Sequence, residues 1–107
     1  MNNDKVFFCH VDVTSTKFGK PGKATIAYMV EPTSDESVVN LTYAMSYCSP
    51  KDQFVKKTGR VRSAGRLNSK NFRHTESLRI KNVGKTNREI YNYLRLLADI
   101  ERPSGWK

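Results

Sequence analysis

The chain has 107 residues, 19 Lys and Arg against 10 Asp and Glu, a formal charge of +9 and two cysteines. That length suits a single domain, 1–107, with a modest core that needs no metal or disulfide staple. Its apolar runs are too short to span a membrane, and its first residues lack the basic-then-apolar pattern of a secretory signal, so a cytoplasmic location with no membrane partner is expected.

Residues 5–14 alternate, with Phe7, Cys9, Val11 and Val13 on one face and Phe8, His10, Asp12 and Thr14 on the other, which predicts a strand. Gly19, Pro21 and Gly22 punctuate the loop that follows. A second strand is expected over 23–31, with Ile26, Tyr28 and Val30 on one side. A third is expected over 38–48, with Val39, Leu41, Tyr43, Met45 and Tyr47 aligned. Short connections favour an antiparallel meander.

Ser49, Pro50 and Asp52 then spell a capping box and predict a helix over 50–67. Phe54, Thr58, Val61 and Gly65 form its stripe at helical spacing, with Ala64 beside them, and Phe54 and Val61 are the expected anchors onto the sheet. Gly59 costs about 1 kcal/mol relative to Ala inside a helix and marks a place for a kink. After a loop, 76–82 predicts a fourth, edge strand through Leu78 and Ile80. Thr86 and Glu89 form a second capping box, and Ile90, Tyr93, Leu94 and Leu97 predict an amphipathic helix over 87–101. Arg102-Pro103 ends it, leaving Trp106 in a tail able to fold back. The expected fold is α+β: a three- or four-stranded, mainly antiparallel sheet with two helices packed on one face.

No motif gathers catalytic or metal-ligating groups. Cys9 and His10 are adjacent on a strand and point to opposite faces, and no CxxC or HxxxH spacing occurs. Cys48 with His74 lacks a third, orienting group. His10 and Asp12 share a strand face, as acid–base partners in a small nuclease would, but so does any solvated sheet face. GKPGK lacks the spacing of a phosphate-binding P-loop. The expectation is a non-enzyme with no metal and no cofactor, whose cysteines are reduced and buried.

The charge is unevenly placed. Residues 1–50 carry four cations against five acids, and residues 51–107 carry fifteen against five. Such asymmetry favours a polyanionic partner. Candidate phosphate contacts are Lys51, Lys56, Lys57, Arg60, Arg62, Arg66, Lys70, Arg73, Arg79 and Lys81, with Lys85 and Arg88 beyond them. At 100° per residue, Lys56, Lys57 and Arg60 fall on one flank of the first helix and Arg62 and Arg66 on the other. Arginine suits bidentate contact with phosphate, and Phe72 and His74 in the next loop are candidates for stacking on a base.

The stretch YCSPKDQFVKKTGRVRSAGRL resembles a segment of small, mostly uncharacterised bacteriophage proteins, in which C-S-P-K-D-x-F is followed by K-x-G-R and A-x-G-R-L. The match covers about twenty residues, under a fifth of the chain. It implies a phage or mobile-element origin without an established activity. Small phage proteins often bind nucleic acid or disable a host enzyme that handles it. The function expected first is therefore non-catalytic binding of DNA or RNA through residues 51–88. The alternative is an inhibitor that docks on the acidic surface of a host nucleic-acid-processing or defence protein. The oligomeric state is open.

Overall fold

A computed structural model describes residues 5–15 and 19–106. Thr16, Lys17 and Phe18, within the expected loop, lie outside the described residues. The elements run β1 (Phe7–Val13), β2 (Gly22–Pro32), β3 (Val38–Cys48), α1 (Lys56–Leu67), β4 (His74–Arg79) and α2 (Thr86–Ile100). The strands form one antiparallel sheet in the order β1-β2-β3-β4. No helix among the described residues is long and apolar enough to cross a membrane.

Strand alternation sorts the side chains into two unlike floors. Cys9, Val11 and Val13, then Ala24 and Ile26, then Leu41, Tyr43 and Met45 share one face, in register across three strands. Onto it α2 lays Ile90, Leu94 and Ala98, each at most 1% exposed, in one core with these residues. Trp106 closes one end of that core. It packs edge-on against Tyr47 and directly over Gly22, where a Cβ would stand 2.2 Å from the indole. Tyr47 in turn donates to the carbonyl of Ala98 at 2.8 Å, tying sheet to helix. The tail therefore folds back as its tryptophan suggests.

The other floor is small: Thr25, Ala27, Ala44 and Ser46. Here α1 descends through Gly59, Ser63 and Leu67, all buried. A Cβ on Gly59 would meet the Thr25 hydroxyl at 2.1 Å, so the helix backbone rests almost on the strand. Leu67 packs with Ala27 and Ala44.

The α+β class, the antiparallel sheet and its two helices are as the sequence predicts. The helices, however, divide between the two faces of the sheet instead of sharing one. The small side chains of the second floor make this second face available. The expected stripe of α1 also rotates: Val61 is 66% exposed and a Cβ on the exposed Gly65 would point into open space, while Gly59, read as a place for a kink, is the contact point.

The start of α1 differs too. Ser49 forms a local turn, its hydroxyl accepting from the Lys51 amide at 3.2 Å, and the helix begins at Lys56 with no side-chain cap. The capping signature is satisfied by a turn, since Ser makes the same kind of bond to a nearby amide in either setting. Glu89 likewise reaches past its expected cap, accepting from the amides of Lys81 at 2.8 Å and Asn82 at 2.6 Å, so it fixes the β4–α2 connection. That connection is a 3₁₀ turn over Val83–Lys85, and β4 spans 74–79, two residues earlier at its start than expected.

Candidate nucleic-acid interface

Five cations and no acid occupy the twelve residues of α1: Lys56, Lys57, Arg60, Arg62 and Arg66. The buried line through Gly59, Ser63 and Leu67 sets their directions. At 100° per residue, Arg60 falls on one flank of this line and Arg62 and Arg66 on the other, Lys56 continues the line beyond Gly59 at the helix start, and Lys57 and Val61 point outward; the charges of Lys56 and Arg60 reach His10 on β1. The bracketing of the buried line by cations on both flanks therefore holds, although the line itself is made of other residues. Among the described residues the ion pairs are Lys23–Asp12, Arg79–Asp35 and Arg102–Asp99, none of which involves α1. The first turn of α1 carries Lys56 and Lys57 and no acid, the reverse of what the helix dipole favours.

Arg66 has a structural task. The β3–β4 ladder ends at the pair Tyr43–His74, and Met45 lies beyond it. The Arg66 Nη1 donates to the Met45 carbonyl at 2.8 Å, and the guanidinium lies 5.9 Å from the centre of the Phe72 ring. Arg66, expected as a phosphate contact, is therefore also committed to the sheet edge.

The remaining expected contacts separate. Lys51, Lys70 and Arg73 belong to the turns flanking α1. Arg79 pairs with Val38 at the opposite end of β3 from Met45, and is engaged with Asp35 at 4.0 Å and the Ser37 hydroxyl at 3.2 Å. Lys81 follows it there. The expected surface over 51–88 is thus two surfaces, one centred on α1 and one at the far end of the sheet. Phe72 and His74 also part. Phe72 is 58% exposed beside Arg66, whereas His74 stacks on Tyr43, on the α2 face, at 5.3 Å. They do not form one stacking platform.

On the β1 flank, His10 and Thr25 are register partners, and His10 Nδ1 lies 2.9 Å from the Thr25 hydroxyl. The edge of the ring meets Phe54 at 5.4 Å between centroids. Phe54 is half-buried in this contact and is not a deep core anchor. Burial, then the positive charges of Lys56 and Arg60, hold the His10 pKa below its usual value. Asp12 shares the face with His10 but is bound to Lys23. No three His, Cys, Asp or Glu side chains among the described residues are gathered as metal ligands would be.

Cys9 faces the α2 core, where burial pushes its thiol pKa up to about 11. Cys48 lies on the α1 face, its sulfur 3.7 Å from the Ser49 carbonyl and 3.8 Å from that of Gln53. Both are free, half-buried thiols. The Cys48–His74 pairing is excluded by the sheet, which stands between the two side chains. Beneath the start of α1 a cavity of about 220 Å³ is lined by Thr25, Ser46, Cys48, Phe54, Gly59 and Arg62. Nothing in the sequence pattern announces this cavity, whose walls come from β2, β3, the turn before α1 and the first turns of α1. No family model, curated protein or solved structure matches this chain.

Proposed function

We propose that this chain is a small non-catalytic protein that binds nucleic acid through the phosphate backbone, using α1 and its flanking turns. The observation that carries the proposal is a helix of five cations without an acid of its own or an ion pair to any described residue, laid close to a sheet through its smallest residues. Cations crowded at the helix start repel one another and oppose the helix dipole, and a bound phosphate relieves both effects. Lys56, Lys57, Arg60 and Arg62 are the primary contacts, with Lys51, Lys70 and Arg73 extending the surface on either side. Arg66 acts mainly by holding the β3 edge and orienting Phe72, which is exposed for stacking on a base. Affinity then comes largely from counterion release and falls steeply with salt.

Titration of labelled DNA and RNA oligonucleotides at low and moderate salt tests the proposal. Salt-sensitive binding to either is expected, and no binding to any of them at low salt overturns it.

A second reading has its own observation. Val61 is 66% exposed at the centre of the cationic face, flanked by Arg60 and Arg62. An apolar centre ringed by cations also suits an acidic groove on a host nucleic-acid-processing or defence protein. Both readings are compatible with the resemblance to bacteriophage segments. Capture of a host protein that survives nuclease treatment and is lost on Val61→Asp selects the second.

A further inference from the structure

Phosphate binding by α1 leaves His10, on the β1 flank, without a role, whereas its neighbour Asp12 on the same face is paired with Lys23. His10 stands on an edge strand, since the sheet order leaves β1 paired on one side only. Thr25 engages its Nδ1, and Phe54 holds the edge of the ring. Its Nε2 has no partner among the described residues. The same Thr25 carries Gly59. The charges of Lys56, three residues before Gly59, and Arg60, one after it, therefore reach His10.

Resting on the phosphate-binding reading above, we propose that His10, Lys56 and Arg60 form a seat for one phosphodiester at the seam of β1 and α1. His10 takes up a proton from solvent when the seat is filled.

The charges around the ring explain the proton. From α1, Lys56 and Arg60 face it; from its own strand, Asp12; from β2, Lys23 and the neutral Thr25; from the loop before α1, the neutral Phe54. Asp12 and Lys23 are bound to each other, so the two cations of α1 dominate the local field. With the seat empty, burial and then the charges of Lys56 and Arg60 disfavour the imidazolium and hold the His10 pKa below its ordinary value. A phosphodiester is an anion throughout the range in which histidine titrates. Placed among the three side chains, it offsets the two fixed charges and accepts a hydrogen bond from the Nε2–H of the imidazolium. Binding and protonation then favour each other, as linkage requires.

Two measurements test the seat. Affinities for a DNA and an RNA oligonucleotide of one sequence are measured in separate arms between pH 7.5 and 5.5, at fixed salt, with the wild type and His10→Gln. The wild type should bind more tightly as pH falls, by up to about tenfold per pH unit while one proton is linked. The affinity of His10→Gln should not change with pH beyond what wild type owes to its other groups. NMR titration of the His10 ring in the wild type, free and bound, should show its midpoint moving to higher pH in the complex. His74, on the opposite face, serves as reference. Equal pH dependence in both proteins, or a His10 midpoint unmoved by the oligonucleotide, overturns the seat and leaves phosphate binding by α1 standing. No binding to either oligonucleotide at any pH overturns both.

Discussion

The two helices bury side chains at the same spacing and with opposite chemistry. Gly59, Ser63 and Leu67 face the sheet from α1, and Ile90, Leu94 and Ala98 face it from α2, each set at i, i+4 and i+8. The first set contains one large apolar residue. The second contains two, helped by the half-buried Tyr93 and Leu97. Fully burying a Leu or Ile contributes roughly 1.5–3 kcal/mol, so α2 supplies much of the attachment energy on its face. Shape does more of the work for α1, because a small helix face fits a small sheet floor closely. A helix held in that way needs few large apolar side chains and leaves most of its surface for charge. The fold and the candidate site are thus carried by different helices.

Substitutions sharpen the contrast. Leu94→Ala should be the most damaging, at about 2–5 kcal/mol in a denaturant melt, because it opens a cavity at a site with no exposure. Gly59→Ala adds only a methyl group, yet it should cost about 1–3 kcal/mol by overpacking against Thr25. It should also disturb the His10 ring that Thr25 holds. Gly65→Ala, six residues further along the same helix and open to solvent, should instead stabilise by up to about 1 kcal/mol. Opposite signs for the two glycines would establish which side of α1 meets the sheet; equal signs would mean that the helix is rotated.

The acid response should be shared by several regions. Burial and the cations of α1 lower the pKa of His10, and hydrogen bonds from the Ser37 side chain and amide lower that of Asp35. The amides of Lys81 and Asn82 do the same for Glu89. In each case the unfolded chain binds more protons than the folded one between the lowered and the ordinary pKa. Stability should therefore fall as pH drops, first below about 6.5 through His10 and then below about 4 through the carboxylates. Tyr93 has the opposite sense: its bond to Glu76, then burial, raises its pKa to about 12, so its contribution is lost as pH rises from about 10 towards that value. Thermal melts across this range check both limbs. A first acid step unchanged in His10→Gln would show that another group causes it.

The strands and α2 were legible because their large apolar residues repeat at the period of the element. Ile90, Leu94 and Leu97 admit one reading, as do Val11 and Val13. The setting of α1 was hidden because its contact residues are small. Pattern reading ranks Phe54 and Val61 above Gly59 and Ser63, and so turns the helix the wrong way. One signal was present: Thr25, Ala27, Ala44 and Ser46 are uniformly small on alternate positions of two neighbouring strands. Such a floor calls for a helix whose own contact face is small. The candidate site was legible in part, since the cations flank the buried line of α1 as expected. Its division was not, because the distance between Arg66 and Arg79 depends on where β4 pairs with β3. The role of Arg66 was equally hidden, since a side chain bound to a backbone carbonyl leaves no trace in a charge pattern.

Salt dependence of nucleic-acid binding compares the two regions most directly. One variant carries Lys56→Gln, Lys57→Gln and Arg60→Gln on α1; the other carries Lys81→Gln, Lys85→Gln and Arg88→Gln, outside it. Both lose three charges, so a diffuse attraction to the whole protein would treat them alike. Mobility shifts at several salt concentrations should show a large loss of affinity for the α1 variant. Its slope of log affinity against log salt should fall by about 0.7–0.9 for each phosphate contact removed. The second variant should stay near wild type. Equal losses and equal slopes in the two variants would contradict the assignment of binding to α1.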